Sequence, residues 1–186
     1  MAAPAQKTAT YDDLHRLPDT MVGEIIDGEL HAVPRPSPAH AKVTSDLGAV
    51  ITYSYRFGRG GPGGWIILDE PELRLGEHTL VPDIAGWKKE RFPKAPDTNW
   101  ISVPPDWVCE VLSPATVRLD KTRKMPIYAD HGVAHIWLIN PVDKTLEVFK
   151  STAGGWLLLD TFAGNDTVTA EPFPAIGIDL ADLWLA

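Results

Sequence analysis

The chain has one cysteine, no long apolar run and fewer basic than acidic residues, and each shortage removes a class of protein. With Cys109 alone, no disulfide can form within the chain, and a reducing compartment is expected. No stretch approaches the roughly 20 apolar residues of a membrane span. The opening Met1-Ala2-Ala3-Pro4-Ala5-Gln6-Lys7 also lacks the apolar core of a signal peptide. The expectation is a cytoplasmic protein that meets no membrane. Its 17 Lys and Arg against 25 Asp and Glu give a formal charge of -8, the wrong sign for non-specific attraction to a polyphosphate. A local strip of Arg118, Lys121, Arg123 and Lys124 is the exception, able to face an anionic ligand while the rest stays acidic.

What is present suits a folded unit. The 186 residues are 44% hydrophobic and 23% charged, enough for one sizeable core. No internal repeat or dividing linker interrupts them, so a single domain over 1–186 is expected. Thr10 ahead of Asp12 and Asp13 predicts a short helix to Leu17, before Pro18. Asp27-Gly28 between Glu24-Ile26 and Glu29-Val33 predicts a hairpin with Glu24 on its first strand. Val43, Leu47, Val50, Ile51 and Ser54 form the stripe of a first long helix, from Ala39 to about Phe57.

The five glycines of Gly58 to Gly64 lack a lysine placed as in a P-loop and read as a connector. Strands follow at Trp65-Leu68 and Glu72-Leu75. After Lys88, a polar, proline-bearing stretch to Pro105 reads as a loop, a candidate rim or lid. A helical pattern runs from Thr116 to His131, stopped by Gly132. Strands at His135-Ile139, Thr145-Lys150 and Trp156-Phe162 close the pattern, the last two paired around Gly154-Gly155. The apolar stretch Ile176 to Leu185 is expected to fold back on the core, with dimerisation the alternative. The fold class is therefore a mixed α/β or α+β domain.

Two carboxylates stand out. Asp83 interrupts Leu80-Val81-Pro82-Asp83-Ile84-Ala85-Gly86-Trp87, and Glu110 interrupts Trp107-Val108-Cys109-Glu110-Val111-Leu112; both runs read as buried strands, where an unpaired charge is expensive. Two such charges about 4 Å apart repel by about 4 kcal/mol at an effective dielectric of about 20, which favours a bound cation or a shared proton. Strand alternation puts Glu110 with Val108 and Leu112, opposite the Cys109 face. A magnesium-type ion needs only one or two carboxylates besides water and substrate phosphate, which Asp83 and Glu110 can supply. Lys124 is the candidate to position or activate the attacking water.

Asp120, Lys124 and Tyr128 share a helix face at four-residue spacing, although Pro126 kinks that helix unless the helix starts near Arg123. Plainer accounts exist for each residue. Glu110 can be a buried carboxylate bonded to a Tyr or Trp, and Asp83 a turn residue after proline. Glu24 can be a solvent-facing hairpin residue, His40 a surface histidine at a helix start, and the Asp120-Lys124 pair a surface salt bridge.

These pieces together resemble the Uma-type family of restriction-endonuclease-like proteins, a bacterial group labelled as a domain of unknown function within the PD-(D/E)XK nuclease superfamily. The resemblance rests on Glu24-Ile25-Ile26-Asp27-Gly28-Glu29-Leu30, His40, Val81-Pro82-Asp83-Ile84, Cys109-Glu110-Val111-Leu112-Ser113-Pro114, and Lys124 with Tyr128, Gly132-Val133 and Trp137. It implies a restriction-endonuclease-like core with a central mixed sheet flanked by helices. It also implies metal binding by Asp83 and Glu110, with Glu24 as a third acid. The superfamily's lysine two residues after the glutamate is Leu112 here, and the resemblance places its substitute at Lys124.

The sequence reading is thus a Mg²⁺-dependent endodeoxyribonuclease, with Mn²⁺ as substitute, DNA as substrate, and a homodimer suited to cutting both strands. Its rivals are a catalytically silent adaptor or self-associating module of the same fold, and a metal-dependent hydrolase of RNA or small phosphoesters.

Overall fold

A computed structural model of the chain describes residues 8–92, 94 and 96–185. Helix α1, Tyr11–His15, begins on a capping box in which Thr10 and Asp13 satisfy each other's backbone. Strands β1, Met21–Ile26, and β2, Glu29–Pro34, join through Asp27 and Gly28, both at positive φ (51° and 75°) as the two-residue hairpin turn requires. The long helix α2, Pro38–Ile51, is capped by the Ser37 side chain and continues as a π-helical turn, Thr52–Arg56. Its stripe buries Val43, Leu47, Ile51 and Ser54, but Val50 faces outward. Gly48 lets the helix approach the sheet, because a Cβ there would meet the Asp69 carboxylate at 3.0 Å.

Strands β3, Trp65–Asp69, β4, Leu73–Leu75, β5, His78–Leu80, β6, Ile84–Lys88, and β7, Trp107–Val111, follow. A helical run comes next, made of α3, Val117–Leu119, a π-helical turn, Asp120–Lys124, and α4, Met125–Asp130. Strands β8, His135–Asn140, β9, Thr145–Thr152, and β10, Gly155–Ala163, complete a six-stranded sheet in the order β10-β9-β8-β7-β6-β3. Only β7 and β8 pair in parallel, so the sheet is mixed. A second sheet has the order β2-β1-β5-β4, and β11, Thr167–Val168, pairs with β12, Ile178–Asp179, ahead of α5, Leu180–Leu183. This is the mixed architecture the sequence pattern implied.

One core lies between α2 and the face of the large sheet bearing Trp107, Cys109 and Val111; the opposite face, with Val108 and Leu112, packs on α4 and the small sheet. The C-terminal stretch folds back as expected, burying Ile178, Leu180, Leu183 and Trp184. Among the described residues, no helix is long and apolar enough to cross a membrane.

Three expectations need correction. The run Leu80 to Trp87 is not one strand: Leu80 ends β5 in the small sheet and Ile84 begins β6 in the large one. Pro82, with no N–H to give a ladder, sits at the crossing. In the stretch from Lys88 to Pro105, expected as a candidate rim or lid, Phe92 stacks on Trp87 and Ile101 is buried beside Leu73, so these described residues belong to the second core rather than to a rim. The helical run that carries Pro126 starts at Val117, well before Arg123, and the π turn ahead of Pro126, closed by Met125 N–H to the Asp120 carbonyl, absorbs the proline.

Phe173 lies at the centre of the first core, 1% exposed, with its ring 4.6–5.6 Å from those of Tyr55, Trp65, Trp107 and Trp137. Phe173→Ala is expected to cost about 3–5 kcal/mol of stability in urea denaturation. A loss under about 1 kcal/mol would mean that this segment is not part of the core.

Candidate active site

The break between the two sheets leaves backbone groups unsatisfied, and side chains from distant elements fill the need. Glu24, on β1, turns its Oε1 to accept the Val81 N–H at 2.7 Å. Asp83, just ahead of β6, accepts the Val111 N–H at Oδ2, also at 2.7 Å, tying the crossing to the end of β7. Its other oxygen, Oδ1, lies 2.6 Å from His40 Nε2 in the first turn of α2. His40 is therefore not a surface histidine; its side chain is 12% exposed and braces Asp83.

Glu110, on β7, is 3% exposed and accepts the Tyr128 hydroxyl at 2.7 Å. Lys124, also 3% exposed, places Nζ 2.9 Å from Glu110, 3.0 Å from Glu24 and 3.6 Å from Asp120. The helix face anticipated from four-residue spacing is real, but it is buried: Asp120 and Tyr128 are 3% and 0% exposed. The surface salt-bridge account fails for that reason, and so does the solvent-facing account of Glu24, 8% exposed.

Three buried carboxylates around one ammonium leave the cluster short of positive charge. Burial alone would push Lys124 down, yet Glu110, Glu24, Tyr128 and Asp120 outweigh it and hold the amine well above its ordinary value. In the metal-free cluster Lys124 is thus held as a cation, able to donate hydrogen bonds. Burial pushes Glu110 well up, opposed by Lys124 and reinforced by Asp120, Asp83 and Glu24. Asp120 is raised mainly by its own burial. Tyr128 is raised by burial and then by Glu110, which keeps its hydroxyl a donor. Such a cluster attracts either a proton or a second cation.

These residues meet at a cavity of about 260 Å³ whose lining includes Glu24, His40, Asp83, Glu110, Asp120 and Lys124. A broader hollow of about 710 Å³ near the β1–β2 turn holds none of the buried charged side chains. Among the described residues, no three His, Cys, Asp or Glu side chains are grouped to hold a metal ion by themselves. The donors therefore do not suit zinc, which wants four protein ligands or three plus water. Carboxylate oxygens of Asp83 and Glu110 suit a hard ion of the magnesium type, which keeps waters and takes oxygens from a substrate phosphate.

The expected basic strip does not face the cavity. Lys121 pairs with Glu147 at 2.8 Å and Arg123 with Asp27 at 2.6 Å, and of the four only Lys124 lines it. Sequence reasoning undervalued Asp120 and His40. The spacing of Asp120 to Lys124 was the signal for the first, whereas the contact of His40 spans 43 residues and leaves no local trace.

The architecture is that of a nuclease fold. A crystal structure described as a putative nuclease belonging to DUF820, from Anabaena variabilis ATCC 29413, superposes with a TM-score of 0.75 at 25% identity, covering 95% of this chain and 97% of that one. The chain belongs to the Uma2 family, described as "Putative restriction endonuclease", whose sequence model matches residues 10–181. No curated protein matches it.

Removing the ammonium should expose its neighbours' repulsion. Lys124→Met is expected to destabilise the protein by about 3–5 kcal/mol in urea with EDTA. Adding Glu24→Gln should recover part of that loss. A single variant as stable as wild type would contradict the buried-charge account.

Proposed function

We propose that the protein is a Mg²⁺-dependent endodeoxyribonuclease, with Mn²⁺ able to replace Mg²⁺. The observation that carries this reading is the buried cluster of Glu24, Glu110 and Asp120 around Lys124, opening on a cavity shared with Asp83. A fold needs no such concentration of desolvated charge, so its cost points to chemistry. Membership of the family and likeness to the Anabaena protein support phosphodiester hydrolysis.

In this reading Asp83 and Glu110 hold the ion. Bound there, it supplies Lewis-acid polarisation of the phosphoryl oxygens. Water attacks phosphorus, one ester P–O bond breaks, and the proton lost by the water ends on the leaving oxygen. The carboxylates around Lys124 favour its charged form in the metal-free protein, so this reading does not give it the role of base. Its N–H groups instead orient the water and offset the negative charge that grows on the phosphate. Glu24 is auxiliary: it fixes Lys124 and, through Val81, the strand crossing that carries Asp83. His40, at 2.6 Å from Asp83 Oδ1, would fix the orientation of that carboxylate toward a bound ion.

A second reading, the silent self-associating module, draws on β10. This strand is the outer edge of the large sheet and exposes Leu157, Leu158 and Leu159 at 53%, 47% and 41%. Edge pairing of two copies would also give the homodimer that suits cutting both strands.

Supercoiled plasmid incubated with Mg²⁺ or Mn²⁺ should be nicked by wild type and spared in EDTA. Asp83→Asn and Glu110→Gln should each lose at least about 100-fold in rate while keeping the wild-type circular dichroism. Full activity in either folded variant rejects the assignment. His40→Ala is expected to weaken Mn²⁺ binding about 10- to 100-fold, and His40→Gln, which keeps an N–H donor, by less. Unchanged affinity in His40→Ala would remove its bracing role.

A further inference from the structure

We infer that the cavity over Lys124 takes an unpaired DNA strand in preference to a paired one, a specificity that rests on the nuclease reading of the same site. Depth is the first argument. Lys124, Glu110 and Asp120 are each 3% exposed, so a phosphate must descend into the cavity to reach them. In a duplex each phosphate is bonded to a sugar whose base is stacked and paired, and drawing a nucleotide out costs a few kcal/mol, least where the base is already unpaired.

Size is the second argument. A volume of about 260 Å³ is slightly under the range of about 300–1,000 Å³ for pockets that enclose drug-sized ligands. It has room for one nucleotide unit rather than two paired strands.

The walls are the third. Val22, Val33, Pro34, Pro36, Val81 and Pro114 supply the apolar part of the lining. Proline fixes φ, so these walls are stiff, and their apolar surface suits the face of a sugar or base without reading its edge. A duplex binder needs a row of cations for its phosphates. Apart from buried Lys124, Arg35 is the one Lys or Arg among the lining residues, and it already lies 3.8 Å from Glu70 at the mouth. Arg35 is placed to hold one flanking phosphate of a single strand.

The test compares a single-stranded oligonucleotide, the duplex formed with its complement, and that duplex with an unpaired overhang, each with Mn²⁺. Wild type should cut the single strand and the overhang at least about tenfold faster than the duplex interior. Val33→Trp, which fills the cavity from an edge strand, should lower kcat/KM on the single strand by at least about tenfold with the melting temperature unchanged. Equal or faster cutting of the duplex overturns the inference and leaves the nuclease reading intact, whether or not Val33→Trp folds. A folded Val33→Trp with wild-type rates also overturns it. Absence of metal-dependent cleavage on all three substrates overturns both.

Discussion

One ammonium group holds the centre of this protein together. Lys124 is enclosed by Glu24, Glu110 and Asp120, and each comes from a different part of the chain: β1, β7 and the π turn ahead of α4. Without Lys124 three buried carboxylates would repel one another; with it, they remain two positive charges short of balance when all are ionised. That deficit can be met by a proton or by a divalent ion carrying a phosphate, which is why the proposed site is placed at this cavity. Tyr128 completes the floor by donating to the oxygen of Glu110 that Lys124 also touches.

The fold's irregularities serve this cluster. The chain leaves the small sheet at Leu80 and enters the large one at Ile84, and the backbone donors at the seam, Val81 N–H and Val111 N–H, go to Glu24 and Asp83. The same carboxylates that face the cavity therefore stitch the two sheets together. The π turn at Asp120–Lys124 accommodates Pro126 while leaving Asp120, Lys124 and Tyr128 on one buried face. Departures from regular geometry collect at sites that use them.

Local pattern was enough to read much of the architecture. Asp27-Gly28 specifies its turn by backbone sterics, the Val43-Leu47-Ile51 stripe specifies α2, and alternation in β7 puts Glu110 opposite Cys109. The charged interruptions at Asp83 and Glu110 were legible because burial makes them costly. Contacts between distant residues were not legible. Nothing near His40 announces a bond to Asp83, and nothing near Phe173 announces four aromatic neighbours. The continuous strand expected through Asp83 failed because periodicity in an apolar run does not reveal which sheet each half joins. The basic strip failed because charge counted along a sequence ignores partners such as Glu147 and Asp27, supplied from elsewhere.

The central claim is that Asp83 and Glu110 together hold a divalent cation beside Lys124. Its most direct test is a Mn²⁺ titration of the metal-free protein, followed by calorimetry and by the loss of the free-ion electron paramagnetic resonance signal. Wild type should bind one equivalent, and Asp83→Asn and Glu110→Gln, still folded, should not. No saturable binding by wild type, or equal binding by all three proteins, would contradict the account.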